Sequence, residues 1–300
     1  MNSGYTYREQ LGKKARGHTV LSYLSSYYRH SSPGQWQERI ERAEVFVNEK
    51  RANANDLLKA GEVLSWRRPP WQEEEVPKTF DLIYEDSDVL LVAKPSGLPT
   101  VPAGGFLENT LVHLVKSLVP EANPVHRLGR ATSGLVLFSK TRQGARGLGK
   151  GWEQEVEKIY LALAEGSALK GSYMITEKIG PVNHTRLGTV HAANSLGKPS
   201  LSEAWVLARR DGQTLFKVRL GTGRPHQIRI HLAAIGHPLT GDPLYARGGQ
   251  PLANAGLPGE GGYYLHAHTL EFKHPRTGQR LRFEAIPPEV LSLDNFAVPQ

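Results

Sequence analysis

The 300-residue sequence contains no cysteine. This absence excludes disulfide bonds, cysteine-ligated zinc, iron–sulfur clusters and a thiol nucleophile. It also fits a reducing compartment, so we expect a cytoplasmic protein. No apolar run approaches the roughly 18 residues of a membrane span, so we expect no membrane partner. Residues 1–14 include Glu9 and have no long apolar run, so we expect no signal peptide.

Acidic residues are fewer than basic ones. The chain has 37 Lys and Arg against 29 Asp and Glu, a formal net charge of +8. Such a surplus suits a polyanionic partner such as nucleic acid. On charge alone, a merely basic enzyme explains it equally well.

Residues 1–75 have the pattern of a small separate module. Apolar residues recur at helical spacing in Thr19–Leu24 and again in Trp36–Ala43. Val45–Asn48 is typical of a short strand that ends in a turn. The proline-rich, charged stretch Arg67–Glu75 indicates a linker. We therefore expect a small N-terminal α/β module of residues 1–75.

The remainder, residues 76–300, is dominated by strand patterns without a regular alternation of strand and helix. We expect strands at Val89–Ala93, Gly134–Ser139, Glu157–Ala164, Phe216–Leu220, Leu265–Phe272 and Leu281–Ala285, and helices at Thr110–Leu118 and His226–Ile235. This order predicts an α+β domain with a mixed, mainly antiparallel sheet flanked by helices.

A polar, glycine-containing loop at His126–Thr132 leads directly into one of these strands. Rigidly held loops of this kind often carry binding and catalytic groups. From His126 to Lys150 there are six Lys or Arg and no Asp or Glu, which is a plausible phosphate footprint. A solvated basic face would have the same composition.

Two later stretches also carry candidate functional groups. Gly221–Arg224 forms a glycine turn ahead of a helix, which places backbone N–H groups and Arg224 where an anion can bind. The spacing of His226 and His231 is not that of a zinc helix, so we expect no metal. Tyr160, on a strand, offers either a ring for base stacking or an ordinary core residue.

Taken together and in order, these motifs resemble the RluA family of pseudouridine synthases over about residues 78–290. The matching segments are Lys94–Leu98, Asn109–Leu111, His126–Lys140, Lys158–Ala162, Gly197–Pro199, Thr222–Leu232, Ile235–Pro238, Gly241–Tyr245, Leu265–Ala267 and His274–Gly278. Residues 1–75 more loosely resemble the αL RNA-binding module shared with a ribosomal protein.

The resemblance implies a pseudouridine synthase fold and the isomerisation of uridine in ribosomal or transfer RNA, by a monomer without cofactor or metal. The uridine must leave the base stack, which costs a few kcal/mol in paired RNA. By resemblance, Arg127 fills the gap left by the flipped base, Tyr160 stacks on the uracil, and Arg229 pairs with a catalytic carboxylate. Our RNA-binding candidates are Arg127, Arg130, Lys140, Arg142 and Arg224.

The sequence departs from the family pattern at one position. The family reads His-Arg-Leu-Asp where this chain ends the motif with Gly129, and glycine can be neither nucleophile nor base. Three hypotheses follow: an inactive RNA-binding relative, a carboxylate supplied from elsewhere, or a glycine-bearing branch whose activity has only been inferred. Candidate carboxylates are Asp242, Asp86 and Asp88, although Asp242 is also typical of a turn. Gly129 could itself hold a positive φ.

Overall fold

The computed structural model describes residues 1–149, 152–256 and 262–296. The chain packs as two compact units, Met1–Glu73 and Glu74–Gln300. The sequence pattern placed this boundary after residue 75. Arg67 and Arg68, which we assigned to the linker, instead end a strand because they continue its ladder of backbone hydrogen bonds. Among the described residues, no helix is both long and apolar enough to cross a membrane.

The first unit is a four-stranded antiparallel sheet with two helices. Its elements are β1 (Tyr5–Gln10), a 3₁₀ turn (Lys13–Ala15), α1 (Val20–Tyr27), α2 (Pro33–Glu41), β2 (Val45–Val47), β3 (Lys50–Arg51) and β4 (Val63–Arg68). The strand order is β1-β4-β2-β3. Thr19 and Ser32 cap the two helices through reciprocal hydrogen bonds with the third helical residue. Both predicted helices are therefore present, whereas β1 has no counterpart in the sequence prediction.

The second unit is built on a ten-stranded sheet. Its strands are β5 (Asp81–Glu85), β6 (Val89–Lys94), β7 (Asn123–Pro124), β8 (Ser133–Ser139), β9 (Glu157–Glu165), β10 (Ser172–Ile175), β13 (Ser202–Arg210), β14 (Gln213–Leu220), β15 (Leu265–Lys273) and β16 (Arg280–Glu284), while β11 (Ile179–His184) and β12 (Gly188–Ala193) form a separate hairpin. Its helices are α3 (Leu111–Leu118), α4 (Arg142–Gly149), α5 (Trp152–Glu155) and α6 (Gln227–Ala234), followed by 3₁₀ turns at Glu289–Leu291 and Leu293–Phe296.

The order along this sheet is β10-β13-β14-β9-β15-β8-β6-β5, with β16 beside β15 and β7 beside β8. Its described pairings are antiparallel except for β8 with β15. The predicted mixed, mainly antiparallel sheet is thus confirmed. Both faces are covered: Leu90 and Val92 point into one apolar cluster, and Val89 and Leu91 into another. A strand buried on both faces needs a continuous apolar run, which this segment has.

The parallel pairing of β8 with β15 forms the part of the fold that holds the site. Ser133 lies opposite His266 and Gly134 opposite Ala267. A Cβ at Gly134 would lie 2.2 Å from the Ala267 carbonyl oxygen, and Gly134 has a φ of +102°. Only glycine permits this approach, so the Gly129 loop before β8 is brought beside the residues that precede β15.

Candidate active site

The loop that carries Gly129 is fixed by hydrogen bonds to its backbone. The Thr100 hydroxyl donates to the Leu128 carbonyl at 2.9 Å. The Leu128 N–H in turn lies 3.2 Å from the hydroxyl oxygen of Thr100. The Thr132 N–H donates to the Gly129 carbonyl at 3.1 Å, closing a turn. Gly129 is exposed and is not in the left-handed backbone region. The hypothesis that glycine is needed here for a positive φ is therefore wrong.

Lys94 ties this loop to the loop that follows β6. Its ammonium group donates to the carbonyls of Pro95 at 2.8 Å, Leu98 at 2.7 Å and Arg130 at 3.2 Å. Burial lowers the pKa of Lys94 to about 7, while three carbonyl acceptors favour its charged form. The side chain is buried, so Lys94 acts as a positioning residue for both loops rather than as a phosphate ligand.

Arg229, on α6, is paired with Asp242. The guanidinium donates from Nε to Oδ2 and from Nη2 to Oδ1 of Asp242, both at 2.7 Å. The two side chains are 9% and 1% exposed. The hydrogen bonds to Asp242 raise the pKa of Arg229 despite the opposing effect of burial. By resemblance we expected Arg229 to pair with a catalytic carboxylate, and in the structure its partner is Asp242.

The carboxylate of Asp242 is fully engaged. Besides Arg229, its Oδ1 accepts the backbone N–H groups of Leu244 at 2.9 Å and Tyr245 at 3.1 Å. Those bonds shape the turn that the sequence pattern gave as the ordinary role of this aspartate. A carboxylate with four donors and 1% exposure is a poor candidate for a relocated nucleophile or base.

Two tyrosines enclose the Arg229 guanidinium, and sequence reasoning missed both. The guanidinium carbon lies 4.4 Å from the ring centroid of Tyr263 and 4.9 Å from that of Tyr245. The Tyr245 hydroxyl donates to the His191 carbonyl at 2.6 Å. Tyr245 ends one of the segments that resemble the family, and Tyr263 lies two residues before the segment Leu265–Ala267. Proximity to these segments was the signal by which the sequence could have identified the two tyrosines.

Tyr160 lies in the main apolar cluster of the second unit, together with Leu128 and Ile228. It is 8% exposed, and burial raises its pKa to about 12. Its hydroxyl has no hydrogen-bond partner among the described residues, so packing sets the position of the ring. This placement makes Tyr160 a core residue next to the Gly129 loop, and its stacking role stays a prediction.

The RNA-binding candidates lie in different environments. Arg127 and Arg142 are exposed, but Arg127 lies in the Gly129 loop and Arg142 begins α4, beyond the other end of β8. The other three make contacts within the protein: Arg130 with Glu74 and the Gly97 carbonyl, Lys140 with Glu85 and the Asp86 carbonyl, and Arg224 with the Pro199 carbonyl. The basic stretch of residues 126–150 is thus partly neutralised by Glu74 and Glu85, which lie outside it in the sequence.

Asp86 and Asp88 do not belong to this site. They precede β6, whose first residue Val89 pairs with Ser139 at the far end of β8. Seven residues of β8 span about 20 Å from the end that carries Gly129. Asp86 accepts from His274 at 2.9 Å. The side chains of Asp86, Asp88 and His274 each offer one possible metal-ligand atom, and these atoms lie within 4.8 Å of one another. Because Arg276 also pairs with Asp88 at 2.6 Å, a cation already sits there.

Comparisons with known proteins agree with this architecture. Residues 88–234 match the family model described as RNA pseudouridylate synthase. An uncharacterised RNA pseudouridine synthase of Synechocystis sp. is 39% identical over 278 residues, covering 91% of this chain and 96% of the relative. RNA pseudouridine synthase 5 of Oryza sativa subsp. japonica is 36% identical, covering 91% and 84%.

A third relative and a solved structure extend the likeness. Ribosomal large subunit pseudouridine synthase D of Neisseria meningitidis is 34% identical, covering 91% of this chain and 76% of the relative. The structure of human RNA Pseudouridylate Synthase Domain Containing 1 has a TM-score of 0.55 and 24% identity, covering 72% of this chain and 87% of that one, and thus shares the fold. With relatives of this identity along nearly its whole length, the chain belongs to the RluA family of RNA pseudouridine synthases.

Proposed function

We propose that this protein binds a uridine of ribosomal or transfer RNA at the Gly129 loop and isomerises it to pseudouridine. One observation carries the proposal: Gly129 and Arg229 both lie against a single tyrosine, Tyr263, with Gly129 next to its hydroxyl and Arg229 over its ring. The arginine that the family resemblance pairs with a catalytic carboxylate is therefore one aromatic ring away from the position where the family carries that carboxylate.

Ribosomal RNA is the first substrate class to test. Of the three relatives reported above, one bears the name of a large-subunit ribosomal enzyme and two are named only as RNA pseudouridine synthases. The exposure of Arg127, two residues before Gly129, supports RNA binding at this loop. The cytoplasm, where both RNA classes are available, is the proposed location.

A second candidate function is RNA binding without catalysis. Gly129 has no side chain, and the one described carboxylate paired with Arg229 already accepts four hydrogen bonds. Such a protein would bind RNA in a salt-dependent manner and leave its uridines unchanged. For the same reason, we expect any turnover by the enzyme to be slow.

Mass-spectrometric mapping of pseudouridine tests the two functions against each other. Ribosomal and transfer RNA are compared from wild-type cells, from cells lacking the gene, and from deleted cells that again carry it. Enzyme activity predicts a uridine that is modified only when the gene is present. An unchanged map, with no tritium released from C5-labelled RNA by the purified protein and with RNA binding retained, would favour the non-catalytic function.

A further inference from the structure

The space that a side chain at position 129 would enter is occupied by Tyr263. A Cβ built on Gly129 would lie 2.6 Å from the Tyr263 hydroxyl oxygen and 3.5 Å from the Thr132 hydroxyl. Real Cβ atoms do not approach another heavy atom within 3.0 Å. A side chain at position 129 and the Tyr263 hydroxyl would therefore compete for one small volume, and one of the two would have to shift to admit the other.

The phenol is held in this volume from three sides. Its oxygen lies 3.2 Å from the Thr132 hydroxyl. The Arg229 guanidinium lies over its ring at 4.4 Å, a favourable cation–π distance. The half-buried ring also packs against the apolar cluster that contains Leu128 and Tyr160. Contacts with a hydroxyl, a cation and an apolar surface fix both the position and the tilt of the ring.

We propose that the Tyr263 hydroxyl is the polar group that this site presents to the bound uridine, in place of a side chain at position 129. The proposal rests on the proposed function, because it requires a uridine at the Gly129 loop. It assigns to this chain a uridine-contacting residue that lies far from Gly129 in sequence and reaches the site only through the pairing of β8 with β15.

A phenol suits the chemistry of the step. When the bond between N1 and C1′ breaks, its electron pair stays on the uracil, so negative charge develops on the ring. A fixed O–H donor stabilises such charge without transferring an atom. The reaction then forms the C5–C1′ bond, and the proton lost at C5 is matched by one gained at N1. No co-reactant is needed, and Tyr263 ends as it began.

Removal of this one oxygen tests the proposal, and Tyr264→Phe is the matched control. Tyr264 is the next residue, and it is 45% exposed. With C5-tritiated ribosomal RNA, Tyr263→Phe should lower kcat roughly 10²-fold, whereas Tyr264→Phe should turn over like wild type. KM should change much less than kcat, and the melting temperature of Tyr263→Phe should stay near that of the control. A Tyr263→Phe protein with wild-type kcat would overturn the inference and leave the proposed function standing.

A binding measurement covers the case in which the wild type releases no tritium, an outcome that defeats the proposed function. The probes are a short oligouridine and an oligocytidine of equal length. Tyr263→Phe should then weaken oligouridine binding by about threefold to tenfold, the effect of one lost hydrogen bond, with oligocytidine binding unchanged. Equal affinities of wild type and variant for oligouridine would overturn the contact itself.

Discussion

Two buried carboxylates, each paired with an arginine guanidinium, lie near opposite ends of β8. They differ in how far the paired guanidinium is exposed to solvent. The Asp242 side chain is 1% exposed and its partner Arg229 9%, enclosed between two rings. The Asp88 side chain is 3% exposed, but its partner Arg276 is 54% exposed. The same chemical groups therefore form a buried ion pair at the Gly129 end of β8 and a partly solvent-exposed ion pair at the far end.

The difference teaches that a carboxylate–arginine pair does not mark a site by itself. At the far end, the Arg276 guanidinium can return to water if the pair is broken. At the Gly129 end, Arg229 cannot do so without leaving both tyrosine rings. Enclosure holds the Arg229 guanidinium, whose charge Asp242 balances, in a fixed position next to the loop.

The largest expected effect comes from breaking the enclosed pair. In Asp242→Asn, the amide oxygen at the Oδ1 position can still accept from the turn, but the amide N–H₂ at the Oδ2 position then faces the Nε–H donor of Arg229. We expect the free energy of unfolding to fall by about 3–5 kcal/mol, because a buried charge loses its counter-ion. Urea unfolding followed by fluorescence measures this loss.

Asp88→Asn is the matched control at the far end, and its loss of stability should be clearly smaller because Arg276 is solvated. Equal losses would remove the distinction between the two pairs. A stable Asp242→Asn protein with normal KM and no turnover would point instead to Asp242 as a relocated catalytic carboxylate.

The next prediction concerns the volume shared by Gly129 and Tyr263. Gly129→Asp alone brings its Cβ against the Tyr263 hydroxyl, so we expect a loss of about 1–3 kcal/mol from overpacking. Adding Tyr263→Phe removes the clashing oxygen and leaves the nearest ring carbon 4.0 Å from the Cβ. The double variant should recover stability in thermal unfolding.

The double variant also places a carboxylate near Arg229, whose Nη1 donates no hydrogen bond within the described parts of the chain. Release of tritium from C5-labelled RNA should therefore rise above that of wild type and of Tyr263→Phe. Equal stability of the single and double variants would show that the two positions do not compete for space.

The two ends of β8 can also be compared through the RNA affinity of tyrosine variants, with Tyr160 at the Gly129 end. If its ring stacks on the uracil, Tyr160→Ala should weaken binding of a uridine-containing RNA by about 1–3 kcal/mol, and Tyr160→Phe much less. The control is Tyr84 at the far end of β8, whose hydroxyl donates a hydrogen bond to Asp86. Tyr84→Ala should leave RNA affinity unchanged. Fluorescence anisotropy on folded protein measures both. Loss of stability without loss of affinity in Tyr160→Ala would make Tyr160 an ordinary core residue.

The smallest expected effect is that of single exposed arginines. Arg127→Ala should weaken RNA binding and reduce the slope of log affinity against log salt concentration by about 1, the effect of one lost phosphate contact. Arg142→Ala, beyond the far end of β8, should change the slope less. Titrations at several salt concentrations decide this, and identical slopes would place the RNA along the whole strand rather than at the Gly129 end.

Several elements of the fold could be read from the sequence because their patterns are local. The run Val89–Val92 is continuously apolar because both faces of β6 are buried, and Thr19 and Thr110 stand at the helix starts that they cap. The strand β1 was missed because its residues are mostly exposed and carry no apolar alternation. Strands β10 to β13 were also missed. For β13 a local signal was present, because Asp211 and Gly212, both with positive φ, form the two-residue hairpin turn that joins it to β14.

The sequence by itself determined the family, the strand-rich class and the missing carboxylate at Gly129, because these depend on residue identity and order. Only the tertiary structure decided what surrounds that glycine. Tyr263 lies 134 residues away, and the Arg229 charge was already balanced by Asp242. Asp86 and Asp88 had the right chemistry and lie at the wrong end of a strand. Distances between groups far apart in sequence are set by sheet pairing, which no local pattern encodes.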